Sequence, residues 1–242
     1  MKKALFIFLA VLTVLFFNAG IATAKNNDND LKLKVFVHEP NPHGKPALTS
    51  GCTPTSNDKV TDYGLAGWTM PSTGLTYKIN TTTKPSNLTA SQVSIAMTNS
   101  FATWTAADSK QIFQSGGTTT ARTAKYDHTN AIFWKPLSGS AIAITYIWYY
   151  TSTGQVAEVD TAFNRSLSWS VTAPTAGDCG GTAGKYDVQD IATHEFGHWV
   201  GLDDLYSTVD QDLTMYGYGD TAELKKDTLG QGDILGVNTV LP

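Results

Sequence analysis

The densest chemical motif in this 242-residue chain is a pair of histidines four positions apart with a glutamate between them, His194-Glu195-Phe196-Gly197-His198. Helical positions four apart share a face, so both imidazoles can meet one cation, while Glu195 projects toward that cation's open side. Gly201 follows three residues later, where a helix ends in a left-handed conformation that other residues resist. The chain can then reverse and carry a third ligand, Asp204, to the same metal. Asp203 is an adjacent carboxylate, and spacing favours Asp204. Three protein ligands leave a fourth position for water, which distinguishes a catalytic zinc from a closed structural one. Zinc lowers the pKa of such a water and polarises a carbonyl, and Glu195 is placed to take the water proton and later deliver it to a leaving amine. An anionic Asp204 makes the centre less electrophilic than three neutral histidines would.

Helix and strand signals show how this motif is positioned. Val188, Ile191, Ala192 and Phe196 set a helical period that carries it. An earlier helix opens at Thr89-Ala90-Ser91-Gln92, which has capping-box spacing, and presents Val93, Ala96, Met97, Phe101 and Trp104 on one face. That stripe reads as core. Strands are predicted at Leu75 to Ile79, Ile112 to Gln114 and Ala131 to Trp134. The runs Ala141 to Tyr150 and Val156 to Phe163 form a hairpin about Ser152-Thr153-Gly154. A last short helix is expected around Asp233 to Val240. Strand, helix, several strands, helix and an irregular tail make an α+β domain without repeats.

Composition narrows the setting. Hydrophobic residues make up 41% and charged residues 16%, as in a globular chain. Lys2-Lys3, the apolar run from Ala4 to Phe17 and Ala22-Thr23-Ala24 form a signal-peptide pattern, and the run is shorter than the ~20 residues of a spanning helix. Residues 1-24 are therefore expected to be removed. The mature charge is then (17 − 2) − 21 = −6, which gives no electrostatic case for nucleic acid or an anionic membrane. Residues 25-60 are polar and Pro/Gly-rich apart from the apolar alternation Leu31, Leu33, Val35, Val37, and read as an extended leader or short pro-segment. Residues 61-242, which hold the histidine motif, are expected to form the catalytic domain. Cys52 and Cys179 are the only cysteines, and an oxidising compartment makes a disulfide between them the ordinary expectation.

His194 to Asp204, written H-E-x-x-H-x-x-G-x-x-D, resembles the metzincin metallopeptidases, with aspartate where the last histidine usually stands. This variant is similar to the small proteases of snapalysin type. The hairpin from Ala141 to Trp169, with Glu158-Val159-Asp160 and Phe163-Asn164, resembles the matrixins. The likeness spans roughly Trp68 to Leu241. It implies a zincin-like catalytic domain: a mixed twisted sheet, an active-site helix, and a methionine-containing turn at Leu213-Thr214-Met215-Tyr216, with Met215 as an apolar floor below the ligands. Gly217 stands where some relatives place a tyrosine ligand, so Tyr216 and Tyr218 are the flanking candidates for an oxyanion donor. Asp160, Asp178 and Asp187 are candidate calcium ligands. The matrixin resemblance also raises a second role for Cys52, as a zinc-capping thiolate. Gly51-Cys52-Thr53-Pro54 lacks that family's surrounding residues, so the disulfide reading stays ahead.

The sequence therefore predicts a secreted, monomeric, zinc-dependent endopeptidase acting on protein or peptide substrates. The resemblance implies that extended peptides add to an edge strand at about Ala141 to Tyr146. A secreted protein that keeps zinc for folding and binds partners without proteolysis is the rival from another class, and Glu195 counts against it because a structural site has no use for a base. A zinc hydrolase of non-peptide substrates shares the motif and is disfavoured by the resemblance.

Overall fold

Thr89 caps the first long helix as its spacing predicts: its hydroxyl accepts from the Gln92 amide, and the Gln92 side chain accepts from the Thr89 amide. The structure, a computed structural model, describes residues 30–44, 59–172 and 180–240. The segment 1–24, expected to be a signal peptide, and Cys52, Cys179 and Asp178 lie outside them.

Among the described residues eleven strands and three α-helices follow in order: β1 (Leu31–Pro40), β2 (Gly64–Leu65), β3 (Leu75–Ile79), α1 (Ala90–Ala107), β4 (Phe113–Thr118), β5 (Asn130–Lys135), β6 (Ala143–Tyr150), β7 (Val156–Asn164), β8 (Trp169–Ser170), β9 (Tyr186–Asp187), α2 (Val188–Val200), β10 (Leu202–Asp203), β11 (Tyr218–Gly219) and α3 (Gln231–Val240). Seven strands form one mixed sheet in the order β11-β1-β6-β7-β5-β3-β4. The hairpin β6–β7 is antiparallel, while β7, β5, β3 and β4 run parallel. Its turn residue Gly154 sits at φ 66°. Among the described residues no helix is long and apolar enough to cross a membrane.

The predicted stripe of α1, Val93, Ala96, Met97, Phe101 and Trp104, is buried. It packs on α2, where Phe101 and Phe196 stack face to face at 3.8 Å between ring centroids. Every residue of α2 except Gln189 is buried, so this helix runs through the middle of the domain. A polar motif can exist there only if its groups find partners.

β1 lies within the segment expected to be an extended leader or short pro-segment. It pairs antiparallel with β6 from Leu31↔Tyr150 to His38↔Ala143, and parallel with β11 at Glu39↔Tyr218 and Pro40↔Gly219. The apolar alternation that marks it in the sequence faces outward, with Leu33, Val35 and Val37 exposed. Phe36 and His38, in the opposite phase, are its buried side chains. With a period of two, one strand can read as amphipathic in either phase, and here packing against α2 selects the phase carrying the aromatic rings.

Candidate metal centre

Asp187 caps α2, its carboxylate accepting from the Gln189 and Asp190 amides. Two turns further on, His194 and His198 stand on one face with ring centroids 5.0 Å apart. The helix ends at Gly201, φ 104°, in the left-handed region. A Cβ there would also come within 2.5 Å of the Trp68 carbonyl oxygen. The chain then reverses through β10 and brings Asp204 back over the helix. Asp204 Oδ1 lies 3.3 Å from His194 Nε2 and 3.5 Å from His198 Nε2. A tetrahedral ion with bonds of about 2.0–2.1 Å holds its ligand atoms about 3.3–3.4 Å apart, so both carboxylate–imidazole spacings fit zinc, and one ligand atom from each of the three residues lies within 4.8 Å of the others. His194 Nε2 and Asp204 Oδ1 are buried with no hydrogen-bond partner, as metal-facing atoms should be. Asp203 points elsewhere, accepting from Lys34 Nζ at 3.1 Å.

The other ring nitrogens are held by backbone. His194 Nδ1 donates to the Thr214 carbonyl at 2.7 Å and His198 Nδ1 to the Leu202 carbonyl at 2.9 Å, which fixes both Nε2 atoms as free acceptors for a cation. Burial, reinforced by His38 and Lys226, pushes His194 down to about 3. Burial also disfavours charge on His198, but the Asp204 and Glu195 carboxylates outweigh it and raise that group. Asp204 is buried too, yet the two histidines hold its carboxyl far below the usual range.

Met215 lies beneath these ligands. Its sulfur stands where a Cβ on Gly197 would be, 2.1 Å from that position, so the second variable position of the motif must lack a side chain. The turn around Met215 is clasped by Asp233, whose carboxylate accepts from the amides of Thr214 at 2.8 Å and Met215 at 3.0 Å. The buried Lys226 ammonium donates to the Thr214 and Tyr216 carbonyls. The floor and the His194 imidazole are thus tied through one peptide unit.

Glu195 is fully buried, and burial raises its carboxyl against the opposing effect of the two histidines and a hydrogen bond from Thr145. Thr145 Oγ1 donates to Glu195 Oε2. Behind it, Thr145 and Thr161 hydroxyls lie 2.9 Å apart, and the Trp199 indole donates to Thr161 at 3.0 Å. Since the indole only donates, the relay runs Trp199 to Thr161 to Thr145 to Glu195. Sequence reasoning missed these threonines. Their signal was present: Thr145 falls in phase with the buried Ala143 and Ile147, and a hydroxyl on a buried face must have a partner.

Tyr206 was also missed. Its hydroxyl donates to Asp204 Oδ2 at 3.1 Å. Tyr218 packs between Tyr206 and Tyr216, at 5.3 and 5.5 Å between ring centroids, and neither the Tyr216 nor the Tyr218 hydroxyl bonds to the three-ligand group. His38, also unforeseen, stacks on His194 at 3.9 Å. Among the described residues, two groups converge as metal ligands: His194 with His198 and Asp204, and His38 with His194 and Glu195. Asp160 and Asp187 are in neither. Asp160 accepts from the Lys125 and Ala131 amides, and Asp187 from those of Thr172 and the α2 N-terminus.

Compared with known proteins, the chain matches the family model described as Matrixin over residues 67–241. A search of curated proteins gives no match. The matched span includes α2, Asp204 and Met215 and begins after β1.

Proposed function

Because this chain belongs to the matrixin family and is a zinc metalloendopeptidase, we propose that His194, His198 and Asp204 hold the metal and that Glu195 moves the proton in cleavage of internal peptide bonds. The observation that carries this reading is the convergence of His194, His198 and Asp204, with Asp204 Oδ1 3.3 and 3.5 Å from the two Nε2 atoms and the buried Glu195 carboxylate next to His194 in the helix. Zinc held there supplies Lewis acidity toward water and toward a carbonyl oxygen. Glu195 takes the proton of the attacking water on Oε1, which has no hydrogen-bond partner, while Oε2 is steadied by Thr145. It returns that proton to the departing amine. Burial, by raising the Glu195 carboxyl, brings its proton affinity closer to that task.

β6, expected from the sequence to be an edge strand, is paired with β1 on one side and β7 on the other, so a peptide substrate is supported by the family match and not by a free β6 edge. The protein works outside the cell after removal of residues 1–24, as a monomer; mass analysis of the product exported by its host tests the cleavage site. Calcium binding by Asp160 or Asp187 is tested by the effect of added calcium on thermal unfolding.

The decisive experiment is zinc analysis together with cleavage of casein by the mature protein, with and without a chelator, alongside Glu195→Gln. One zinc per chain, chelator-sensitive cleavage, and a zinc-loaded but inactive variant are expected. Retained cleavage in Glu195→Gln overturns the proton role.

A further inference from the structure

Three segments far apart in the chain enclose a cavity of about 500 Å³ that contains none of the metal ligands. One wall is the turn before α1, Lys84 to Asn87. The second is the segment between β7 and β8 that carries Arg165 and ends at Trp169, and the third is Lys185, just before β9. These walls are bonded to one another. Asn87 Nδ2 donates to the Trp169 carbonyl at 2.9 Å, joining the first to the second, and the Tyr186 amide donates to the Ser168 carbonyl at 2.9 Å, joining the second to the third. The buried Asn164 fixes the Arg165 turn: its side-chain oxygen accepts from the Ser166 amide at 3.0 Å, and its carbonyl accepts from the Trp169 indole at 2.8 Å. The cavity is therefore preformed, and a ligand need not order it.

Its charge has one sign. Lys84, Arg165 and Lys185 are the ionisable side chains of the lining, and among the described residues no acid lines the cavity or forms an ion pair with any of the three. Lys84 and Lys185 are half-buried. The acid nearest to Lys185 in sequence, Asp187, is buried and commits its carboxylate to the Thr172, Gln189 and Asp190 amides. Three like charges around one cavity repel one another, the more so where water is partly excluded, until an anion joins them. The chain as a whole has more acids than bases, 21 against 17, so this concentration of positive charge runs against its composition.

We propose that the cavity is an anion site that holds the carboxylate side chains of an acidic polypeptide segment and so anchors a substrate at a distance from the bond that is cut. The Arg165 guanidinium offers a carboxylate two parallel N–H donors, and the two ammonium groups take a second acidic side chain. A space of this size admits a few side chains, and its charges form one concavity rather than the long stripe that a nucleic acid backbone needs. The site is separate from the metal machinery: Lys185 precedes α2, and the helix rises about 9 Å from Val188 to His194. Binding at such a distance is equal in the ground and transition states, so it lowers KM and leaves kcat alone. The consequence for cleavage rests on the peptidase reading above, whereas the binding itself does not.

The test uses the mature zinc-loaded protein carrying Glu195→Gln, so that no probe is cut, and two short fluorescent peptides that differ only in having glutamate or glutamine at alternate positions. Anisotropy is expected to show the glutamate peptide binding at least about tenfold tighter, with affinity falling as salt is added. Arg165→Gln combined with Lys185→Gln is expected to weaken it about tenfold or more, and Lys84→Gln, on another wall, about threefold. Lys59→Gln, a charge outside the cavity, should leave it unchanged. With Glu195 restored, a cleavable substrate bearing a glutamate tail should show a KM about tenfold higher in the double variant, with kcat and zinc content unchanged, while its glutamine-tailed twin is unaffected.

Equal affinity for the two peptides, or a loss in Lys59→Gln as large as in the double variant, overturns the anion site while leaving the peptidase reading standing. Displacement of the probe by inorganic phosphate at lower concentration than by free glutamate overturns the carboxylate assignment in favour of a phosphate site. Binding through Arg165 and Lys185 with no change in KM overturns the anchoring role. If the glutamate peptide binds as expected but neither tailed substrate is cut, the peptidase reading fails and the anion site stands.

Discussion

Glu195 is oriented by a hydroxyl that the zinc motif does not contain. Thr145→Val keeps the volume and β-branching of the side chain and removes the bond to Oε2. The expected result is a kcat lower by about tenfold to a hundredfold, with zinc content and KM little changed, and recovery in Thr145→Ser. A merely structural threonine would instead alter stability without this split. Tyr206→Phe tests the outer support of the third ligand. Losing the donor to Asp204 Oδ2 should weaken zinc binding about tenfold or more, read by competition with a chelating dye. Both residues act through their neighbours, the threonine on the base and the tyrosine on the metal carboxylate.

The turn after α2 decides whether Asp204 reaches the metal at all. Gly201→Ala places a side chain at a left-handed φ and against the Trp68 carbonyl, and the loss of stability should exceed about 2 kcal/mol, measured by denaturant unfolding. The Met215 turn makes a parallel demand on α3. Asp233→Ala leaves the Thr214 and Met215 amides without their acceptor and should cost about 3 kcal/mol, with a fall in zinc affinity because Thr214 also holds His194. These elements are short and irregular because they follow the metal ligands rather than a sheet or helix period.

Across the whole molecule, buried acids behind α2 impose a pH dependence on stability. Burial, reinforced by Asp187, pushes the Asp227 carboxyl from 3.8 up to about 8. In the folded state it keeps a proton that the unfolded chain has already lost, so between about pH 4 and pH 8 the unfolded state binds fewer protons. Its contribution is therefore fully present below that window and is lost as pH rises through it, with a slope of up to about 1.4 kcal/mol per pH unit. Asp227→Asn should flatten that part of the profile in thermal melts at constant ionic strength. The direction is opposite to that of a carboxylate stabilised by a salt bridge.

The ligand spacing, the capped α1, the buried stripe of Val93 to Trp104 and strands β3 to β7 of the central sheet were legible because each depends on neighbours within a few residues. His194, Glu195 and His198 follow from helical geometry alone, and Gly201 with Asp204 from the needs of one turn. The tertiary structure alone decided which phase of β1 faces inward, that Thr145 stands beside Glu195 through its pairing with Thr161, and that Asp233 and Lys226 hold the Met215 turn. His38 is separated from His194 by most of the chain, and no local period connects them. Contacts of that kind are set by sheet order and register, which appear only when the strands have found one another.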